Sequence, residues 1–517
     1  MFDLLITNGR IVDGSGNPWF RADLGIEGDL IRAIGRLAAA EARQRIDAAD
    51  NVVAPGFVDA HVHGDLMVLA DPWQEAGIRQ GVTTYVLGQD GVAMAPASPA
   101  TLDYMRRYTA GFSGTPDLGF SWSSVAEYLA LFERRVAVNI AYLIPNGNLR
   151  MEVMGLETRP ATADELRRMG RLLREGLEQG AVGLSSGLDY IPSRYADTHE
   201  LAQLCKELGP YGGVYVTHMR RYDVEGVASA MEEVFQIGRE AEAPVHISHF
   251  NSRADLVLPK VDAARAEGID VTYDMYCYLA GSSILGMVAL PPWVQEGGVE
   301  ATLTRLRDPE VRNRLREWFA APRVPLETVR LSYVEAPAYR YLEGKHLGDA
   351  ASAVGMDLGD FVCELLIASG MAVGCIVPHR QRDVEDLQHL MRHPAHMAGS
   401  DGIFTGGFPH PRGCGCFARY LGHHVRDDKT WSLEQAVQHL AAHAARRFGL
   451  KDRGLLREGM AADVCVFDPK QIADRSTYDA GRQLAVGMAH VIVNGQLVLQ
   501  DGKRTSALPG RALRSGH

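Results

Sequence analysis

The sequence lacks the features that mark secreted, membrane-spanning and nucleic-acid-binding proteins. Cysteine is scarce, with seven in 517 residues, and an odd, scattered set favours a reducing compartment over a disulfide framework. No apolar run reaches the ~18 residues of a membrane span, and the N-terminus has no basic region followed by a long apolar core. Acidic residues (64) outnumber lysine and arginine (53), and no basic cluster occurs, which argues against nucleic-acid binding. We therefore expect a cytoplasmic protein without nucleic-acid or membrane partners.

The two ends of the chain share a short-strand character. In residues 2–54, short apolar runs alternate with turn residues such as Asn8-Gly9. The segments 462–467 and 490–495 near the C-terminus show the same pattern of short apolar runs bounded by polar residues. We predict that residues 1–54 and 455–517 together form one small sheet domain, which flanks the part of the chain between them.

The central part of the chain, residues 55–454, alternates strand and helix candidates. A strand at 55–60 is followed by eight more candidates, and segments between them have helical spacing, as at 163–180. This is close to the count of an eight-fold α/β barrel, whose chemistry lies at the C-terminal ends of the strands. Residues 285–345 are too long for an ordinary loop and predict an inserted lid. The eight later strand candidates are 82–87, 137–144, 181–184, 213–217, 245–248, 271–273, 372–377 and 397–399.

Side chains that bind metals follow five of these strands. His61 and His63 lie two residues apart, so they share one face of a strand, and imidazole is the commonest metal ligand. Six such groups at strand ends predict a metal centre, and the mixture of imidazole and carboxylate favours Zn²⁺, with Mn²⁺ or Fe²⁺ also compatible. The other four groups, each after a different strand, are Asp90, His218, His249 and Asp401.

Such a centre predicts hydrolysis. A water molecule on Zn²⁺ has a pKa of ~7 rather than ~16, so hydroxide becomes available at neutral pH. A carboxylate beside it can take the water proton and return it to a leaving group, and we assign that catalytic role to Asp401. The predicted reaction class is metal-assisted hydrolysis of an amide-like bond.

Nine short motifs, spread over nearly the whole chain, narrow this prediction: 54–63, 81–84, 180–190, 217–220, 247–249, 399–402, 410–412, 453–454 and 493–495. Together they resemble the N-acyl-D-amino-acid deacylase (D-aminoacylase) family of the amidohydrolase superfamily. The resemblance implies a distorted TIM (β/α)8 barrel that carries a small β-sandwich built from both chain termini. It also implies hydrolysis of N-acyl-D-amino acids to a carboxylate and a free D-amino acid. The implied ligands are Asp90, His218 and His249 for a tightly held zinc, and His61, His63 and Asp401 for a weaker second ion.

Two positions depart from the family pattern. Where the family has a cysteine ligand this chain has Asp90, a harder ligand that can bridge two metals. Where the family has a lysine for the substrate carboxylate this chain has Asn251, whereas Arg412 keeps the other cationic partner and can pair with a carboxylate. Three further residues match the family's substrate-contacting strand end: Tyr276, Tyr278 and Ser282.

Several alternatives stay open. Asn251 favours a second hypothesis, in which the same machinery hydrolyses a different amide, such as a dipeptide-like or side-chain N-acyl substrate. A third hypothesis is a barrel that has lost catalysis and only binds. The segment Gly183-Leu-Ser185-Ser-Gly187 matches the nucleophile elbow of serine hydrolases, a pattern that is common by chance. His246 is three residues from His249, and alternation predicts that it faces the helical layer as a structural residue.

Overall fold

The structure, a computed structural model, describes residues 1–514. Its strands form three sheets: the barrel, a sheet made from both chain ends, and a small sheet within the insertion. In chain order the strands are β1 Phe2–Ile11, β2 Phe20–Glu27, β3 Leu30–Gly35, β4 Ala42–Asp47, β5 Val52–Pro55, β6 Phe57–Asp59, β7 Val82–Leu87, β8 Asn139–Pro145, β9 Gly183–Gly187, β10 Val214–His218, β11 Val245–Ile247, β12 Val271–Met275, β13 Ala280–Ile284, β14 Arg330–Val334, β15 Val373–Pro378, β16 His396–Ala398, β17 Val464–Phe467, β18 Met488–Val493, β19 Gln496–Gln500 and β20 Lys503–Arg504.

The helices fill the connections between barrel strands and most of the insertion. Several begin with a side-chain cap, as where Thr162 accepts from the Glu165 amide in a reciprocal capping box. In chain order the α-helices are α1 Met67–Ala70, α2 Glu75–Ile78, α3 Pro99–Tyr108, α4 Ala110–Ser113, α5 Val125–Ala130, α6 Asn146–Met154, α7 Ala163–Glu178, α8 Thr198–Cys205, α9 Val227–Ala241, α10 Ala254–Ala266, α11 Leu285–Ala289, α12 Pro292–Gln295, α13 Gly298–Arg307, α14 Pro309–Ala320, α15 Leu347–Val354, α16 Leu358–Ala368, α17 Val384–Arg392, α18 Arg412–Arg419, α19 Leu433–Val437 and α20 His443–Arg447.

Eight strands form the parallel barrel, in the order β6-β7-β8-β9-β10-β11-β12-β16. Each neighbouring pair is parallel, and β7 and β8 are buried along their whole length. The first and last strands meet at a seam, where the Ala60 amide donates to the Ala398 carbonyl at 3.1 Å. Inside the barrel, apolar residues of successive strands pack on Phe448 and Leu450, which closes the core below the strand ends. The predicted α/β barrel is confirmed.

One strand candidate was assigned wrongly. The run at 372–377 forms β15, which pairs antiparallel with β13 and β14 in a three-stranded sheet outside the barrel. Its apolar side chains pack against helices α11 and α16 of the same excursion, so burial in a second core, not in the barrel, explains its strand-like composition. The excursion between β12 and β16 is therefore longer than the segment 285–345 expected for the insertion.

The two ends of the chain meet in one nine-stranded sheet. Its order is β20-β19-β18-β17-β5-β1-β2-β3, with β4 also paired to β1. The join is the antiparallel pair of β5 and β17, where Val464 lies opposite Pro55 and Phe467 opposite Val52. Because β5 leads directly into β6, this sheet is connected to the first strand of the barrel. The division of the chain into domains 1–54 plus 455–517 and 55–454 stays a prediction.

No helix among residues 1–514 is both long and apolar enough to cross a membrane.

Candidate metal centre and active-site cavity

The barrel seam positions the first pair of candidate ligands. After β6 the chain runs alongside the segment that follows β16, where the His63 amide donates to the Gly402 carbonyl at 3.0 Å and the Asp401 amide donates to the His61 carbonyl at 2.7 Å. These backbone bonds continue the parallel pairing of the two strands beyond their ends, with a bridge between Val62 and Gly402. Closure of the barrel therefore brings His61, His63 and Asp401 together.

Asp90 lies at the centre of four histidines. Its Oδ1 is 3.6 Å from His61 Nε2, and its Oδ2 is 3.5 Å from His63 Nε2, 3.5 Å from His218 Nδ1 and 3.7 Å from His249 Nε2. The potential ligand atoms form two groups of three, both of which include Asp90: His61, His63 and Asp90, and Asp90, His218 and His249. Asp90 is therefore the residue that the two groups have in common.

Asp401 lies beside both groups. Its Oδ1 is 3.2 Å from His63 Nε2 and 3.8 Å from His61 Nε2, and its Oδ2 forms an ion pair with Arg412 at 2.8 Å. Burial opposes ionisation of this carboxyl, but the charge of Arg412 and the neighbouring imidazole of His63 outweigh it and hold the pKa of Asp401 well below its usual range. Asp401 is therefore ionised at neutral pH and can accept a proton.

Three of the candidate ligands have left-handed backbone conformations. Their φ angles are +57° at Asp90, +33° at His249 and +49° at Asp401. Such conformations are uncommon for residues other than glycine, although Asp and His adopt them more readily than most. Each of these residues lies two or three positions after the end of its strand, where the chain turns and places the side chain in the centre. This is the pattern expected where function maintains strain.

Asp274 orients two of the histidines. Its carboxylate is 3.5 Å from His61 Nδ1, accepts from His246 Nε2 at 2.9 Å and accepts from the His249 amide at 3.0 Å. A carboxylate on the far ring nitrogen fixes the tautomer of a metal-binding imidazole. Burial opposes the charge of Asp274, but His61 and His246 hold its pKa well below the usual range.

Asp274 was not among the predicted site residues, although it is the penultimate residue of barrel strand β12. His246 also differs from expectation. It pairs in register with Val216, a residue of the barrel interior, and its ring lies 5.8 Å from the ring of Phe448. The prediction that it faces the helical layer was wrong, because the left-handed His249 breaks the alternation on which it depended.

Asp59 supports the loop of Asp401. Its buried carboxylate accepts the amide of Ser400 at 2.7 Å, the Ser400 hydroxyl and the His61 amide. Burial raises the pKa of Asp59 to about 7, in opposition to these hydrogen bonds. Asp59 thus fixes the backbone on both sides of the seam.

The turn that carries Asp90 is held by a serine. Ser185 Oγ donates to the Gly88 carbonyl and accepts from the Gly91 amide at 3.2 Å, and Asp65 accepts from the Gly88 amide at 3.2 Å. Ser185 is fully buried. The nucleophile-elbow match is therefore a structural support for the Asp90 turn.

The donor set fits a metal ion. His61 Nε2, Asp90 Oδ1 and Asp401 Oδ1 are buried and have no hydrogen-bond partner within residues 1–514, and buried polar atoms without a partner are costly and uncommon. Imidazole nitrogens and carboxylate oxygens suit Zn²⁺ and other divalent transition metals. A divalent cation shared by these atoms satisfies all of them at once.

A cavity of about 610 Å³ opens over the centre. Its wall includes Asn251, Tyr276 and Ser282, three of the five residues predicted to bind substrate. Arg412 and Tyr278 do not line it. Arg412 is fully buried behind Asp401, and the Tyr278 ring packs on His410 and Arg419 on the far side of the strand end.

Comparison with known protein families shows which proteins this chain is similar to. Residues 44–499 match the model of the amidohydrolase family. A D-aminoacylase of Alcaligenes xylosoxydans xylosoxydans is 36% identical, and the match covers 99% of this chain and 97% of that protein. An N-acyl-D-glutamate deacylase of the same organism is 33% identical, with 99% of this chain and 96% of that protein covered.

Solved structures give the same relationship. The fold superposes with a TM-score of 0.85 on an N-acyl-D-glutamate deacylase of Bordetella bronchiseptica in complex with zinc and a phosphonate inhibitor that mimics the tetrahedral intermediate. That protein is 33% identical, and 99% of each chain is covered. A D-aminoacylase studied for its binuclear metal centre has a TM-score of 0.83 and 34% identity, with 99% of this chain and 100% of that chain covered.

Proposed function

Because the chain belongs to the D-aminoacylase branch of the amidohydrolase family, we propose that it is a metal-dependent enzyme that hydrolyses the amide bond of N-acyl-D-amino acids. The products are a carboxylate and a free D-amino acid. The observation that carries the proposal is the arrangement of two histidine groups around Asp90, with the ionised Asp401 beside them at the base of the cavity.

The residues at the strand ends hold the metal in this proposal. Asp90, His218 and His249 would hold the first ion, and His61, His63 and Asp401 would hold a second, weaker one. When bound, zinc supplies Lewis-acid polarisation of the amide carbonyl and lowers the pKa of a water ligand. Asp274 keeps the ring of His61 in the orientation that presents Nε2 to this centre.

Asp401 transfers the proton. As an ionised group it takes the proton of the attacking water at Oδ1, which faces His63, and returns it to the nitrogen of the departing amine. Arg412 holds the other oxygen of the same carboxylate, which fixes its orientation and keeps it charged before the reaction begins. In the structure Arg412 acts on Asp401, and the contact with substrate that the sequence predicted for it stays a prediction.

Asn251 supports a second candidate substrate class. Its side-chain amide donates to the Tyr276 hydroxyl at 2.7 Å, so this position presents a neutral hydrogen-bonded pair to the cavity, in contrast to the lysine of the family pattern. The same machinery on a dipeptide-like or side-chain N-acyl amide is the alternative that this observation favours.

We also propose a division into domains, a cellular location and a class of partner, all of which follow from the sequence. The division into a sheet domain, 1–54 plus 455–517, and a catalytic barrel, 55–454, is consistent with the join of β5 and β17. A net charge of −11 and the scarcity of cysteine support a cytoplasmic enzyme whose partner is a small-molecule substrate and not a nucleic acid.

A substrate screen with metal control tests the proposal. Purified protein is incubated with N-acetyl and longer N-acyl derivatives of D- and L-amino acids, and the free amino acid is quantified alongside the metal content per chain. We expect hydrolysis of D-derivatives, its loss on chelation and its return with Zn²⁺. Hydrolysis restricted to dipeptide-like or side-chain amides favours the second candidate, and a protein that takes up no metal and cleaves none of these amides contradicts both.

A further inference from the structure

A second cluster of metal-binding side chains lies outside the active-site cavity. Its members are His423 and His424, in the π-helix Tyr420–Asp427, and Asp428, which follows that helix. Each residue offers one potential ligand atom, and the three atoms lie within 4.8 Å of one another. None of these residues lines the cavity over the strand ends. We call them the peripheral cluster.

The carboxylate of Asp428 faces both rings of the peripheral cluster. Its Oδ2 is 3.3 Å from His423 Nε2 and 3.8 Å from His424 Nδ1. Ligand atoms that surround Zn²⁺ tetrahedrally at about 2.0–2.2 Å lie roughly 3.3–3.6 Å from each other. The spacing of the carboxylate and the two imidazoles therefore suits one shared divalent ion, with little movement of the side chains.

Backbone hydrogen bonds hold the peripheral cluster in this arrangement. The Asp428 amide donates to the His423 carbonyl at 2.8 Å, and the Thr430 amide donates to the His424 carbonyl at 2.7 Å. These bonds close the turn after the helix, so the fold itself brings the carboxylate back toward the two histidines. A site assembled before it binds loses less conformational freedom on binding.

The ring of His424 is buried without a partner. Its side chain is 2% exposed, and neither ring nitrogen has a hydrogen-bond partner within residues 1–514. Burial, with His423 and Arg419 nearby, lowers the pKa of His424 to about 3, so the ring is neutral and does not pair with Asp428 as a cation. Buried polar atoms without a partner are uncommon, and neutral imidazole is the form that binds metals. A metal ion would satisfy the nitrogen that faces Asp428.

No arginine or lysine of the described range competes for the carboxylate of Asp428. Among residues 1–514, the basic groups at ion-pair distance from it are those of His423 and His424. The nearby Arg426 pairs with Asp427 at 2.8 Å instead. The side chain of Asp428 is 29% exposed and that of His423 is 36% exposed, so an ion and its water ligands can reach the cluster from solvent.

The peripheral cluster is separate from the candidate metal centre. Helix α18 begins at Arg412, the partner of Asp401, and continues into the π-helix that carries the two histidines. From Arg412 to His423 the helix advances about 16 Å, at ~1.5 Å per residue. An ion in the peripheral cluster therefore shares no ligand with an ion at the strand ends.

We propose that His423, His424 and Asp428 form a further binding site for a divalent transition-metal ion, with Zn²⁺ as the best match. Two imidazoles and one carboxylate are a ligand set that Zn²⁺ takes in proteins, and water fills the open position. Because two of the three ligands are partly exposed, this ion binds less tightly than one at the buried centre and fills after it. Its binding stabilises the folded chain by mass action, and this inference does not depend on the proposed function.

The test counts bound zinc in four proteins. Wild type, His423→Gln, Asp428→Asn and Asp262→Asn are freed of metal with a chelator, dialysed against a series of free Zn²⁺ concentrations and analysed for metal per chain. We expect each of the two cluster variants to raise the Kd of the last ion to bind at least about tenfold, and to leave the ions that bind first unchanged. Asp262→Asn is the control, because Asp262 is an exposed partner of His393 at 3.0 Å and belongs to none of the ligand groups.

Activity and the thermal transition separate this site from the active centre. We expect His423→Gln and Asp428→Asn to keep kcat within about twofold and to show a smaller zinc-dependent rise in Tm than wild type. Equal zinc binding curves for wild type and both variants overturn the inference, and so does an ion that is lost together with hydrolysis. Both side chains are partly exposed, so their replacement leaves the core intact, and if one variant fails to fold the other decides. If wild type hydrolyses no substrate, the proposed function fails while the zinc binding curves still test this site.

Discussion

At the scale of single residues, the centre is distinguished by an aspartate at position 90. Its Oδ1 faces His61, and its Oδ2 faces His63, His218 and His249. The left-handed φ of +57° at this position suits aspartate better than most residues. Carboxylate is a harder ligand than thiolate, so Asp90 should broaden the range of metals that the centre accepts.

Replacement of this carboxylate by thiolate should change metal selectivity. We expect Asp90→Cys to raise the ratio of Zn²⁺ to Mn²⁺ taken up from an equimolar mixture by metal-free protein, because thiolate is the softer ligand. Metal per chain is measured by elemental analysis. Asp189→Cys, which adds a thiol to the cavity wall outside both ligand groups, should leave the ratio unchanged. Equal ratios in wild type and Asp90→Cys refute a ligand role for this residue.

At the scale of elements, the C-terminal ends of the barrel strands bring the candidate metal ligands together. The metal candidates were predictable because each follows an apolar run, and parallel strands of a barrel bring their C-terminal ends to one face. Asp274 and Ser185 were not predicted, since their roles are contacts with other side chains and backbone groups. The place of β15 was not predictable either, because the apolar composition of that strand indicates burial without identifying the sheet to which it belongs.

The support given by β9 to the Asp90 turn can be measured. We expect Ser185→Ala to weaken metal binding and to lower the free energy of unfolding by about 1–3 kcal/mol, because the buried Gly91 amide loses its partner, while metal-saturated protein keeps its activity within about tenfold. The neighbouring Ser186→Ala is the control, since Ser186 bonds to Tyr215 and Thr217 and not to this turn. Complete loss of turnover in fully metal-loaded Ser185→Ala instead supports a serine nucleophile.

At the scale of the whole molecule, a buried polar network joins the terminal sheet to the barrel. Asp463, beside β17, accepts from Arg453 and from the Asn494 amide at 2.7 Å. Asn494 donates to Asn139 of barrel strand β8 at 2.7 Å, and Asn139 donates back to Asp463 at 2.9 Å. Two of the sequence motifs, 453–454 and 493–495, belong to this network, so their role is to hold the sheet against the barrel and not to perform chemistry.

Removal of the central charge of this network should destabilise the protein. Asp463→Asn leaves Arg453 buried without its carboxylate, and we expect a loss of about 3–5 kcal/mol in the free energy of unfolding, measured by denaturant titration. Asp479→Asn removes an exposed partner of Arg330 and should cost no more than about 1 kcal/mol. A loss for Asp463→Asn that does not exceed this control shows that the network does not couple the two parts.

The central claim is that a metal centre beside Asp401 hydrolyses N-acyl-D-amino acids, and the turnover of Asp401→Asn tests it most directly. Rates are compared with wild type when each protein holds one metal ion per chain by elemental analysis, the ion assigned to Asp90, His218 and His249, and the thermal transition is recorded for both proteins. Because Asn cannot accept the proton, we predict a fall in kcat of at least about 100-fold, with the fold and that metal ion retained. A metal-loaded Asp401→Asn protein that turns over at nearly the wild-type rate contradicts the account.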